Sequence, residues 1–76
     1  MSKYFFDRVS GNRAEYDYQG RALPTPENAR QLAELIALDL EIEPEGKWTG
    51  WMVSVRNARG QQFYKIPVRQ TELAAA

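Results

Sequence analysis

The sequence predicts an α+β domain of two layers in the order β-β-α-β-β: a four-stranded antiparallel sheet made of two hairpins, with one helix packed on one face. Three observations carry that expectation. Apolar and polar residues alternate before residue 20 and again after residue 50, the period of a half-buried strand. Between these halves, Ala29, Leu32, Ala33, Ile36, Ala37 and Leu40 recur at helical spacing. Each alternating half is divided by turn-forming residues, Ser10-Gly11-Asn12 in the first and Asn57-Ala58-Arg59-Gly60 in the second.

In chain order, Lys3 to Val9 is aromatic and β-branched and reads as the first strand. Ala14 to Tyr18 reads as the second, with Ala14, Tyr16 and Tyr18 on one face and Glu15 and Asp17 on the other. Gly20 breaks the hairpin, and Leu23-Pro24 leads to the helix. Thr25 is placed to cap the free N–H groups, Pro26 suits the first helical position, and Glu27 favours the positive end of the dipole. Pro44 disfavours helical geometry at Glu43, so the helix should stop near Ile42, after 16 to 17 residues. Trp51, Val53 and Val55 alternate with Met52, Ser54 and Arg56 as the third strand. Gln62 to Val68 is the fourth, with Tyr64, Ile66 and Val68 on one face and Phe63 and Lys65 on the other. Pro67 cannot donate to a ladder, so this strand is an edge or ends there.

Seventy-six residues suffice for a single domain, expected over residues 1–70, with a frayed tail over 71–76. The chain has no Cys and no His. Disulfides, thiolate metal sites and the commonest general base are therefore excluded, and no cofactor or metal is expected. No apolar run is long enough to span a bilayer, and the first residues lack the apolar core of a signal peptide, so the expected location is cytoplasmic. Ten basic and ten acidic residues balance, but unevenly. Glu27, Glu34, Asp39, Glu41, Glu43 and Glu45 face only Arg30 between Thr25 and Glu45, whereas the flanks are basic.

The stretches Tyr4-Phe5-Phe6, Asp17-x-x-Gly20-x-x-Leu23-Pro24, Ala29-Arg30, Gly50-Trp51-x-Val53-x-Val55, Gly60 and Ile66-Pro67-Val68 together resemble a family. It comprises short bacterial proteins filed as a domain of unknown function, opening with a Tyr-Phe-Phe strand and closing with an Ile-Pro-Val strand. The resemblance spans roughly residues 3 to 69. The family's pattern has Asp-Gly in the first turn where this chain has Ser10-Gly11. The resemblance implies domain boundaries and no catalytic residue, substrate or partner.

No catalytic motif is present, and an enzyme is not expected. Asp7, Glu15 and Asp17 could approach one another across the first hairpin, but they read as a polar strand face neutralised by Arg8 and Arg13. Asp39, Glu41, Glu43 and Glu45 crowd the negative end of the helix dipole, where a cation from Lys47, Arg56 or Arg69 is expected to offset them. The feature that reaches beyond the fold is a second stripe on the helix. Leu35, Leu38 and Ile42 fall together within roughly 60° on an otherwise acidic surface. They are the expected partner-binding residues of an interaction module that is expected to self-associate as a homodimer about a twofold axis, with another protein as the other partner considered. The alternative is a binder of single-stranded nucleic acid, using Phe63, Lys65, Arg56 and Arg8 on the open sheet face.

Overall fold

The sheet is organised around one long strand. In the computed structural model, which describes residues 1–69, β1 runs over Ser2–Ser10 and is hydrogen-bonded along both edges. Along one edge it pairs with two short strands in succession, β2 (Arg13–Glu15) and β3 (Arg21–Leu23). Along the other it pairs with β4 (Met52–Arg56), which pairs in turn with β5 (Gln62–Pro67). All pairings are antiparallel, and the order is β2-β1-β4-β5 with β3 beside β1. The class is the α+β sandwich that the sequence predicts. The strand count differs, with five in place of four.

The difference lies where the second strand was expected. β2 ends at Glu15, and Tyr16 and Tyr18 stand out into solvent, 56% and 86% exposed. Five residues, 16–20, bridge a gap on β1 that only residues 5–7 occupy, between the pairs Arg8↔Glu15 and Tyr4↔Arg21. Two residues too many cannot stay in register, so the chain bulges outward and rejoins as β3. The alternation of Ala14, Tyr16 and Tyr18 is therefore not that of a buried face.

The helix α1 spans Pro26–Glu41. Its start follows the sequence signals, with the Thr25 hydroxyl accepting from the Asn28 N–H at 3.1 Å and Pro26 in the first turn. It ends with Ile42 as C-cap, and the chain turns through a 3-10 segment, Pro44–Gly46, in which Glu45 takes φ +66°.

Register and alternation assign the faces. Phe6 lies opposite Val55, and Arg8 opposite Val53, which lies opposite Ile66. These residues face α1. The helix meets them with Ala29, Ala33 and Ala37, all essentially without exposure, and with Leu40 at 7%. Small residues at every fourth position let the helix backbone lie close, so the bulk of the core comes from the sheet side: Tyr4, Val53, Val55 and Val68. Trp48 closes the far end, edge to face with Trp51 at 5.0 Å. Each fully buried valine, Val53 or Val55, contributes on the order of 1.5–3 kcal/mol through burial. No helix among the described residues is long and apolar enough to cross a membrane. The expected frayed tail, residues 71–76, lies outside the described residues.

Candidate interaction surfaces

The outer face of α1 is set by helical geometry. At about 100° per residue, Leu35, Leu38 and Ile42 point roughly 160° away from the centre of the alanine-rich face that meets the sheet. Their exposures are 59%, 55% and 74%. By the same arithmetic Glu27, Glu34 and Glu41 run along one flank of this seam and Asp39 along the other. Glu27 pairs with Arg30 at 3.1 Å, and Glu34 accepts from the Tyr64 hydroxyl at 3.2 Å. Burial, reinforced by the Glu34 hydrogen bond and charge, pushes the Tyr64 phenol above its usual value. No basic residue lies in the last turn of α1. Of the cations expected to offset the acidic helix end, Lys47 sits 5.1 Å over the Trp48 ring. Arg56 is committed elsewhere.

That commitment is on the opposite face of the sheet. Phe5, Asp7 and Val9 of β1 lie opposite Arg56, Ser54 and Met52 of β4, pointing away from α1. Asp7 is 2% exposed. Its carboxylate accepts from Arg56 Nε at 2.5 Å and from Arg56 Nη2 at 3.0 Å, a two-pronged pairing, and from the Asp17 N–H at 2.9 Å. The Arg56 fork also donates to the Asp17 carbonyl at 3.3 Å and lies over the rings of Phe5, at 5.0 Å, and Tyr16, at 5.9 Å. The Asp7 carboxylate strengthens the hold of Arg56 on its proton and raises its pKa.

Asp17 does a separate job on the other edge of β1. Where β2 and β3 leave a gap, the Phe6 N–H would lack a partner, and the Asp17 carboxylate accepts from it at 3.1 Å. The same carboxylate accepts from the Gln19 and Gly20 N–H groups, each at 3.0 Å, which closes the bulge as a turn. Burial pushes the Asp17 carboxyl up, but the N–H groups of Gly20, Phe6 and Gln19 and the charge of Arg56 outweigh it and leave the pKa below its usual value. Gly20 has φ +71°, and a Cβ there would lie 2.9 Å from both Lys3 Cγ and Phe5 Cε1.

The four residues read as a nucleic-acid face are divided between the two sides of the sheet. Lys65, opposite Ser54, lies exposed on the open side, and Arg56 lies there bound to Asp7. Arg8 is on the helix side, paired with Glu15 at 2.9 Å and 4.7 Å over the Trp48 ring. Phe63 is the correction of greatest consequence. The ladder shifts between Val55↔Tyr64 and Arg56↔Gln62, which makes Phe63 the extra residue of a bulge. It turns toward the helix, edge to face with Tyr4 at 5.7 Å and 5.6 Å beneath the Arg30 guanidinium. Period two cannot reveal such a slip from sequence.

The three carboxylates of the first hairpin separate in the same way. Glu15 goes to Arg8 as expected, but Arg13 lies 5.7 Å over the Trp51 ring, and the cation shared by Asp7 and Asp17 is Arg56. Among the described residues, no three acidic side chains converge to hold a metal ion.

The family described as a domain of unknown function (DUF6894) matches residues 3–69. Neither a search of curated proteins nor a search of solved structures returned a significant match.

Proposed function

The chain belongs to the DUF6894 family, a domain of unknown function that spans residues 3–69, and from its geometry we propose that it is a non-enzymatic protein-interaction module docking through the outer face of α1. The observation that carries this reading is the exposure of Leu35, Leu38 and Ile42 together on one helix face, 55–74% each, in a domain with few large aliphatics to spare. Scattered surface leucines are ordinary. An aligned seam bounded on both flanks by carboxylates is a shape that a second helix fits.

The charge of the flanks selects the occupant. It is a helix of another protein that carries an aliphatic seam between Lys or Arg residues. A second copy of this chain would bring acidic flank against acidic flank in either orientation about a twofold axis, at an axial separation of roughly 8–10 Å. Like charges so placed oppose association. Three aliphatic side chains also supply only about 200–350 Å² of apolar surface. That is far less than the roughly 800 Å² per partner of a standard stable interface, so the contact is of the transient kind.

The test uses two synthetic helical peptides with the same leucine seam, one flanked by lysines and one by glutamates, titrated at low salt. The lysine-flanked peptide should bind wild type at least tenfold more tightly than its twin and should lose that binding to Leu38→Gln. Equal affinities would reject the charge argument. A wild type that sediments as a dimer at low salt, and as a monomer when Leu38 is replaced, would make a second copy the occupant instead.

A further inference from the structure

A cleft of about 460 Å³ opens between the first turn of α1 and the turn joining β4 to β5, at the end of the sandwich opposite Trp48. Its floor is the edge-to-face pair Tyr4 and Phe63, and its walls carry Arg30, Arg59, Asn57 and Gln61. That volume lies in the range of sites for small molecules. We propose that it binds a small oxyanion borne on a ring-sized apolar body, an aryl carboxylate or aryl phosphate.

Three features support this assignment, and none involves Leu35, Leu38 or Ile42. Tyr4 is 5% exposed, yet no described residue hydrogen-bonds its hydroxyl. No buried side-chain polar atom among the described residues lacks a partner, so this hydroxyl is not sealed from solvent, and Tyr4 lines the cleft. A buried ring that spends its one polar atom on a cleft is a donor awaiting an acceptor. Second, Arg59 makes no ion pair with a described residue, and the backbone that carries it is fixed. The Asn57 side chain accepts from the Arg59 and Gln61 N–H groups at 3.0 Å each and donates to Gln61 Oε1 at 3.1 Å, which locks the turn that presents it. Third, Arg30 lies across from it over Phe63 at 5.6 Å, held there by Glu27 at 3.1 Å. Two guanidinium groups and a phenol therefore surround an aromatic floor. Glu27 offsets part of one charge, which suits a monoanion or a single phosphate better than a polyanion.

The experiment is an amide-resolved NMR titration of the full chain with benzoate, phenyl phosphate and inorganic phosphate in parallel. The site predicts saturable shifts confined to Ser2–Tyr4, Glu27–Arg30 and Asn57–Phe63 with at least one aryl oxyanion. Whichever of the two binds more tightly identifies the preferred head group. Binding should weaken roughly tenfold in Arg59→Ala and roughly three- to tenfold in Tyr4→Phe, a change that removes one oxygen and leaves the core filled. Leu38→Gln should bind as wild type does, which separates this site from the helix face. The proposal is overturned if neither aryl oxyanion produces saturable shifts or if inorganic phosphate binds as well as phenyl phosphate. Unchanged affinity in both cleft variants would overturn it too.

Discussion

Asp7 and Arg56, 49 residues apart in sequence, lock β1 to β4 through a two-pronged ion pair on the sheet face that α1 does not cover. The pair is asymmetric: the Asp7 side chain is 3% exposed and that of Arg56 is 28%. Deleting one partner is therefore not equivalent to deleting the other. Arg56→Met strands a buried carboxylate with the Asp17 N–H as its remaining donor, and should cost about 3 kcal/mol. Asp7→Asn keeps an acceptor for that N–H and leaves a guanidinium that reaches water, so about 1–2 kcal/mol is expected. Urea unfolding of both variants checks the order. Equal losses would mean that the pair is not buried as described.

Asp17 gives the fold a pH dependence of definite sign. Its folded pKa is lowered, so its stabilisation is fully present above the ordinary carboxylate range, about pH 4, and is lost as pH falls through the folded value. Asp17→Asn should cost about 1–2 kcal/mol at neutral pH, because the amide nitrogen must face a backbone N–H at Phe6, Gln19 or Gly20. The variant should also be less acid-sensitive than wild type below pH 4. A carboxyl titration midpoint at or above the ordinary value would contradict this account.

Gly20 and Gly60 both hold φ above +70°, but only the first is crowded. Gly20→Ala would press its Cβ against the Lys3 and Phe5 side chains, adding a steric cost to the left-handed one. Gly60→Ala would meet nothing within 4 Å and should cost only about 1 kcal/mol. Thermal unfolding should rank Gly20→Ala clearly below Gly60→Ala; the reverse order would show that the bulge yields at that point.

Much of the fold was legible because its signals are local. Thr25, Pro26 and Pro44 bracket the helix within a residue of its observed ends, and the alternation from Trp51 to Arg56 assigns the faces of β4 correctly. What escaped is non-local or aperiodic. The two-residue excess at 16–20 appears only once β2 and β3 are known to share the same edge of β1. The bulge at Phe63 breaks period two without a Gly or Pro to announce it. Arg56 read as a cation for the acidic helix end or for nucleic acid because nothing near it in the chain hints at Asp7. The seam of Leu35, Leu38 and Ile42 was legible for the opposite reason, since a surplus of aliphatics on one helix shows in the helix alone.

The most direct measurement is a methyl-resolved NMR spectrum of the chain recorded with the lysine-flanked peptide. The methyl groups of Leu35, Leu38 and Ile42 should shift together and saturate, while those of Leu40, Val53 and Val55, enclosed between α1 and the sheet, stay in place. Shifts confined to Val9 and Met52 on the open sheet face, or none at saturating peptide, would contradict docking through the outer face of α1.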